Sequence, residues 1–192
     1  MYRNTYYALR HGISLANEEG IIISHPENGT RGWGLSPAGV AHCREALAPS
    51  RLLPMRFPAD TVTISSDFRR ALETAELFCG LNELRAPRLD ARLRERCFGE
   101  LEHLSQEKYL AVWEDDARDP SHHRFGCEST DDVAARLRSV LTEAERELEG
   151  RTIVLVSHGD PLQILETIFL GLPSNRHRML THLGNAELRR LD

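Results

Sequence analysis

Two stretches far apart in this chain each end an apolar run on a His-Gly pair. Tyr6-Tyr7-Ala8-Leu9 leads into Arg10-His11-Gly12, and Thr152-Ile153-Val154-Leu155-Val156 leads through Ser157 into His158-Gly159. Short apolar runs of this kind read as buried strands of a parallel sheet, and in open α/β sheets ligand sites form beyond the carboxyl ends of the strands. After the second run, Leu162 to Leu170 continues as a helix, with Asp160 as its expected N-cap and Pro161 at its first position. His158 then lies between a strand end and a helix N-terminus, where backbone N–H groups and the helix dipole favour an anion. A third run, Thr61 to Ser65, passes through Ser66-Asp67 into the helical pattern Arg69 to Ala75. Strands alternating with helices predict an α/β chain: a three-layer α/β/α sandwich with a mostly parallel central sheet and a small inserted cap.

Three strand ends therefore deliver Arg10 with His11, either Arg69 or Arg70, and His158 to one edge of a sheet. An imidazole titrates near neutrality, so it serves as an unprotonated nucleophile, and arginine forks match the oxygens of a phosphoryl group. The chain as a whole carries a net charge of -5. Cations gathered at strand ends in an acidic protein point to a dedicated anion site. From the residues alone, Arg69 and Arg70 compete for the third position. Glu95, inside Arg92-Leu93-Arg94-Glu95-Arg96, reads from the residues alone as part of a solvated charge run.

These motifs resemble those of the histidine phosphatase superfamily, which includes the cofactor-dependent phosphoglycerate mutases. Arg10-His11-Gly12 resembles its Arg-His-Gly signature, with Ser14 and Asn17 at the usual offsets. Ser66 to Ala75 resembles its second arginine motif and selects Arg70, just before the alanine. Leu93 to Gly99 resembles its acid motif and marks Glu95, and Val156 to Gly159 resembles its second histidine motif. Weaker matches at Leu35 to Gly39, Gly126 to Ser129 and Gly184 to Glu187 carry the resemblance nearly end to end. It implies a catalytic set of His11, Glu95, His158, Arg10 and Arg70. It also implies phosphate or substrate contacts from Arg10, Ser14, Asn17, Arg70, His158 and Gly159. The reaction expected is hydrolysis of a small phosphomonoester through a phosphohistidine on His11, with mutase-type phosphoryl transfer as the alternative. No metal and no cofactor are expected. A cap rich in Glu114, Asp115, Asp116 and Asp119 favours the phosphatase, as does Asp160 where relatives often carry glycine or asparagine.

At 192 residues, 41% hydrophobic and 28% charged, the composition is that of one globular domain over residues 1–192. Residues 101–126 break the strand–helix alternation and read as the inserted cap, with Trp113 packing against Tyr109 and Leu110 and with Pro120 to Arg124 as a mobile loop. Ser36 caps a helix to about Leu47, Ala71 to Phe78 is helical, and Pro87 to Leu89 and Ala186 to Leu191 are candidate strands. Ser129 caps a long helix with an apolar face at Val133, Leu137, Val140, Leu141, Ala144 and Leu148, closed by Gly150. The acidic balance argues against a nucleic-acid partner, no run is long enough to span a membrane, and the Met1-Tyr2-Arg3-Asn4 start lacks the features of a secretory leader. Cys43, Cys79, Cys97 and Cys127 are widely spaced and read as reduced thiols, which suits a cytoplasmic protein acting on a small phosphorylated metabolite. His122-His123 shows no spacing or carboxylate partner suited to a metal. Two other classes stay open at this level: a metal hydrolase ligated by His11 and His158, and a non-catalytic binding module. Arg94 and Arg96 are expected to be structural or solvent-facing.

Overall fold

The computed structural model describes residues 2–53, 55 and 57–192. In chain order it runs β1 (Thr5–Arg10), α1 (Leu15–Glu19), α2 (Pro26–Gly29), α3 (Pro37–Ala46), β2 (Val62–Ser65), α4 (Arg69–Leu81) and β3 (Arg88–Leu89). Then come α5 (Tyr109–Arg118), α6 (Thr130–Glu147), β4 (Thr152–Ser157), α7 (Gly159–Phe169) and β5 (Leu188–Leu191), with single helical turns between them. The five strands form one sheet in the order β3-β2-β4-β1-β5. All neighbours pair in parallel except β5, which runs antiparallel to β1.

Period-two alternation in β1 sends successive side chains to opposite faces. Tyr6 and Ala8, with Ile153 and Leu155 of β4, pack under α6 and α7. Tyr7 and Leu9, with Val154 and Val156, pack against α3 and α4. The result is the expected α/β sandwich, with both faces of the sheet covered. The apolar stripe of α6 lies where its spacing places it: Val133, Leu137, Val140, Leu141 and Ala144 are all buried. Its start carries a capping box between Ser129 and Asp132, and Gly150 follows its end at φ +64. A third, smaller cluster of Ile22, Phe98, Leu101, Val112 and Cys127 sits at the base of α5.

The register fixes the functional edge. Arg10 pairs with Ser157 and Leu9 with Val156, while Ser65 on the other side of β4 also pairs with Val156. The residues that leave β1, β2 and β4 therefore emerge side by side. Gly12 permits α3 to close on this edge, because a Cβ there would lie 2.2 Å from Cys43 Sγ.

Several elements differ from the sequence reading. The N-cap of α7 is His158, so Asp160 and Pro161 sit inside the first helical turn rather than at its cap. Asp160 is free of the capping role because its carboxylate accepts the indole N–H of Trp113 at 3.1 Å. The last strand starts only at Leu188, since Ala186 has φ 56 and leaves extended geometry. The segment 120–124 is tied down: His122 Nε2 lies 2.7 Å from Asp116 Oδ1, a carboxylate partner the sequence reading did not assign, and Arg124 pairs with Asp115 at 2.8 Å.

Candidate active site

At the end of β1, the His11 ring places Nδ1 2.7 Å from the Gly12 carbonyl oxygen. A carbonyl only accepts, so the proton is on Nδ1 and Nε2 is unprotonated. Arg70, on the first turn of α4, directs its Nε–H at His11 Nε2 and at His158 Nδ1, each 3.2 Å away. His158 Nδ1 is thus an acceptor, and its Nε2–H donates to Ser66 Oγ at 2.9 Å. The two imidazole rings stand 5.1 Å apart, centroid to centroid. Burial first, then the Arg70 charge, hold both histidines well below their ordinary value, so both are neutral at physiological pH.

Both arginines are held by carbonyls and keep one donor free. Arg70 Nη2 donates to Ile23 O at 3.0 Å, and Arg10 Nη1 donates to Leu183 O at 2.8 Å. Arg70 Nη1 and Arg10 Nε are buried with no partner among the described residues. An unpaired buried N–H is costly, and both arginines line the cleft that His11 also lines. Arg69, the sequence competitor, is exposed and paired with Glu73 at 2.8 Å. The geometry therefore brings Arg70, not Arg69, to the site.

Glu95 closes the site opposite the histidines. Its carboxyl is 9% exposed, lies 3.9 Å from Arg70 Nη2, and accepts the Arg96 N–H at 2.9 Å. Burial outweighs the pull of Arg70, and with the charge of Asp160 it pushes the Glu95 pKa up to about 7. The charge run around it resolves into separate roles. Arg94 forks onto Asp67 at 2.6–2.7 Å. Arg96 is fully buried and forks onto Asp116 at the same distances.

Ser14 and Asn17 are mainly partners of each other, forming the capping box of α1, with Asn17 N donating to Ser14 Oγ at 3.2 Å. Both still line the cleft, as does Gly159 at the start of α7. The cleft has a volume of about 240 Å³, and its outer wall is built by Phe98, Tyr109 and Trp113. Trp113 stacks on Tyr109 with ring centroids 5.4 Å apart and carries Arg178 3.7 Å from its own ring centroid. Held by these two partners it acts as a packed wall of the cleft. Among the described residues, no group of three or more His, Cys, Asp or Glu is placed to hold a metal ion.

The match to known proteins follows this geometry. The family model described as the histidine phosphatase superfamily, branch 1, covers residues 6–192. The chain belongs to that superfamily. A glucosyl-3-phosphoglycerate phosphatase from Mycolicibacterium vanbaalenii is 33% identical over 74% of this chain and 67% of its own length. A protein from Enterobacter sp. (strain 638), named "Probable phosphoglycerate mutase GpmB", is 30% identical over 97% of this chain and 83% of its own. Among solved structures, the native mycobacterial glucosyl-3-phosphoglycerate phosphatase superposes with a TM-score of 0.75 at 26% identity, covering 97% of this chain and 88% of that one.

In this superfamily member, three groups at the site have roles that the sequence reading did not assign. Thr74 Oγ1 accepts the Gly12 N–H at 3.0 Å and fixes the loop after His11. His182 Nε2 accepts from Arg10 Nη1 at 2.7 Å, and its own Nδ1–H faces Gln163 Oε1 at 3.2 Å. Burial and then Arg10 lower its pKa to about 4, so it remains a neutral acceptor that orients the Arg10 fork. The third is Asp160. Burial raises its pKa, but His177, Arg96, the Trp113 N–H and Arg178 together more than reverse this and hold it below the usual carboxylate range. A helical spacing of four between Arg70 and Thr74 was the one signal that pointed to Thr74. His182 and the Asp160 contacts are made by residues distant in sequence and left no local pattern.

Proposed function

We propose that this protein hydrolyses a small phosphomonoester by way of a phosphohistidine on His11. The observation that carries the reading is an unprotonated His11 Nε2, approached only by the Arg70 Nε–H, beside two arginines of the same cleft that each keep a buried, unpartnered N–H. In the first step Nε2 attacks phosphorus in line and the N–P bond forms as the ester P–O bond breaks. Arg10, Arg70 and the first backbone N–H groups of α7 stabilise charge on the equatorial oxygens. Glu95, protonated at and below about pH 7, gives its proton to the departing alkoxide. In the second step the Glu95 carboxylate takes a proton from water, whose oxygen attacks phosphorus. The N–P bond breaks, its electrons return to Nε2, and inorganic phosphate leaves.

His158 acts as a neutral member of the phosphoryl cradle, anchored by Ser66. Asn17 is the more available of the Ser14–Asn17 pair, whose hydroxyl member is engaged in capping α1. Residues 101–126 serve as the cap over this site, with α5 as its wall. The four cysteines are free, which suits a reducing cytoplasmic setting. No helix among the described residues is long and apolar enough to cross a membrane. Phosphoryl transfer between two oxygens of one glycerate is the second reading, supported by the names of several relatives.

The test is phosphate release from phenyl phosphate and a panel of sugar and polyol monophosphates in the presence of EDTA. Turnover that survives EDTA and is inhibited competitively by vanadate is expected. Activity abolished by EDTA and restored by a divalent ion would assign the histidines to a metal instead.

A further inference from the structure

We infer that the cleft selects monophosphates whose alcohol part carries no further negative charge. The inference rests on the phosphatase reading above and concerns which substrates that site admits. The two guanidinium groups that line the cleft, Arg10 and Arg70, both stand at its His11 end, where the phosphoryl group is held. Beyond them, apart from the carboxyl groups of Glu95 and Asp160, the wall is apolar or neutral: Ile21, Ile23, Phe98, Tyr109 and Trp113, with the amides of Asn17 and Gln106. Burial and the nearby Glu95 keep Tyr109 a neutral phenol. His182 also lines the cleft, but it accepts an N–H from Arg10 and so brings no charge of its own.

Two further guanidiniums near Asp160 are committed elsewhere. Arg96 forks onto Asp116, and Arg178 lies over the Trp113 ring, donates to Gln163 Oε1, and sits 3.9 Å from Asp160 Oδ1. Two carboxyl groups, Glu95 and Asp160, meanwhile face the cleft, and Asp160 is ionised through its contacts with Arg96 and Trp113. A carboxylate or second phosphate on the substrate would thus lose its hydration beside an existing negative charge, with no cation besides Arg10 and Arg70, already engaged with the phosphoryl group, among the described residues lining the cleft. A hydroxylated or aromatic alcohol meets the amides and apolar walls at no such cost. The same shortage of cations disfavours a bound bisphosphoglycerate, which a mutase cycle on phosphoglycerate would require.

The deciding pair is glycerol 3-phosphate against 3-phosphoglycerate, which differ by one hydroxymethyl in place of a carboxylate. Phosphate release and 2-phosphoglycerate formation are both followed on the purified protein, with phenyl phosphate as the reference substrate. The expected kcat/KM is about tenfold or more higher for glycerol 3-phosphate, the scale of an uncompensated like charge. Gln106→Arg, which adds a cation at the rim, is expected to narrow that gap several-fold. Hydrolysis of phenyl phosphate with equal or better turnover of 3-phosphoglycerate, or its isomerisation, overturns the charge selection alone. Absence of phosphate release from all three overturns the phosphatase reading and the selection with it.

Discussion

A carboxyl group as buried as Glu95 is governed more by its surroundings than by its own chemistry. Its pKa of about 7 lies above the ordinary 4.5, so the folded protein retains a proton that the unfolded chain releases. Its favourable contribution to stability is therefore fully present below about pH 4.5 and is lost as pH rises through about 7. Glu95→Gln, which cannot ionise, should raise the thermal midpoint more at pH 8 than at pH 5. The same substitution removes the proton donor. It should slow alkyl phosphate hydrolysis by ~10²–10⁴-fold, the usual worth of a placed acid. It should slow p-nitrophenyl phosphate far less, because that leaving group departs without a proton. The basic limb of the alkyl pH profile should flatten as well. Equal losses on both substrates would place Glu95 in binding rather than in proton transfer. Arg94 and Arg96, whose guanidiniums are committed to Asp67 and Asp116, are not expected to reproduce this leaving-group pattern.

At the scale of elements, α5 is fastened to the sandwich through buried charge. Arg96, in the loop that carries Glu95, forks onto Asp116 of α5, and Asp160 of α7 lies 3.4 Å from the same guanidinium. Breaking such a pair from one side leaves an uncompensated buried charge. Asp116→Ala should therefore cost about 3–5 kcal/mol in urea unfolding. The double replacement Arg96→Met with Asp116→Leu should recover most of that loss. A cost below about 1 kcal/mol for Asp116→Ala would mean that water reaches Arg96. These attachments mark where the sequence stopped being informative. The strands β1, β2 and β4 were legible because apolar, β-branched runs ended abruptly at Gly, Ser or Asp. The face of α6 was legible from its spacing, and Ser129 from its capping box. The N-terminus of α7 was misplaced by two residues because Asp160 matches a cap by type, while Trp113, 47 positions away, claims its carboxylate. The Asp116–His122 contact was missed for a related reason: it depends on how the chain after α5 folds back on that helix, not on a helical spacing. Arg70 was separated from Arg69 only by family pattern, and the fold supplies the physical reason. One residue of rotation on α4 turns Arg69 to solvent and Arg70 into the cleft.

Over the whole molecule, the parallel order β2-β4-β1 gathers residues from positions 10 to 158 into one cleft. Neither half of the chain holds the site alone, since His11 and His158 are the two ends of one hydrogen-bonded group around Arg70. That convergence has a chemical meaning only if His11 accepts the phosphoryl group. The direct measurement is a rapid, acid-free quench during turnover, followed by mass analysis of the peptide that contains His11. The account predicts a phosphate on His11 that is stable in base and labile in acid, absent from His11→Ala along with turnover. Normal turnover by His11→Ala, or a phosphoryl group trapped on another residue, would contradict it.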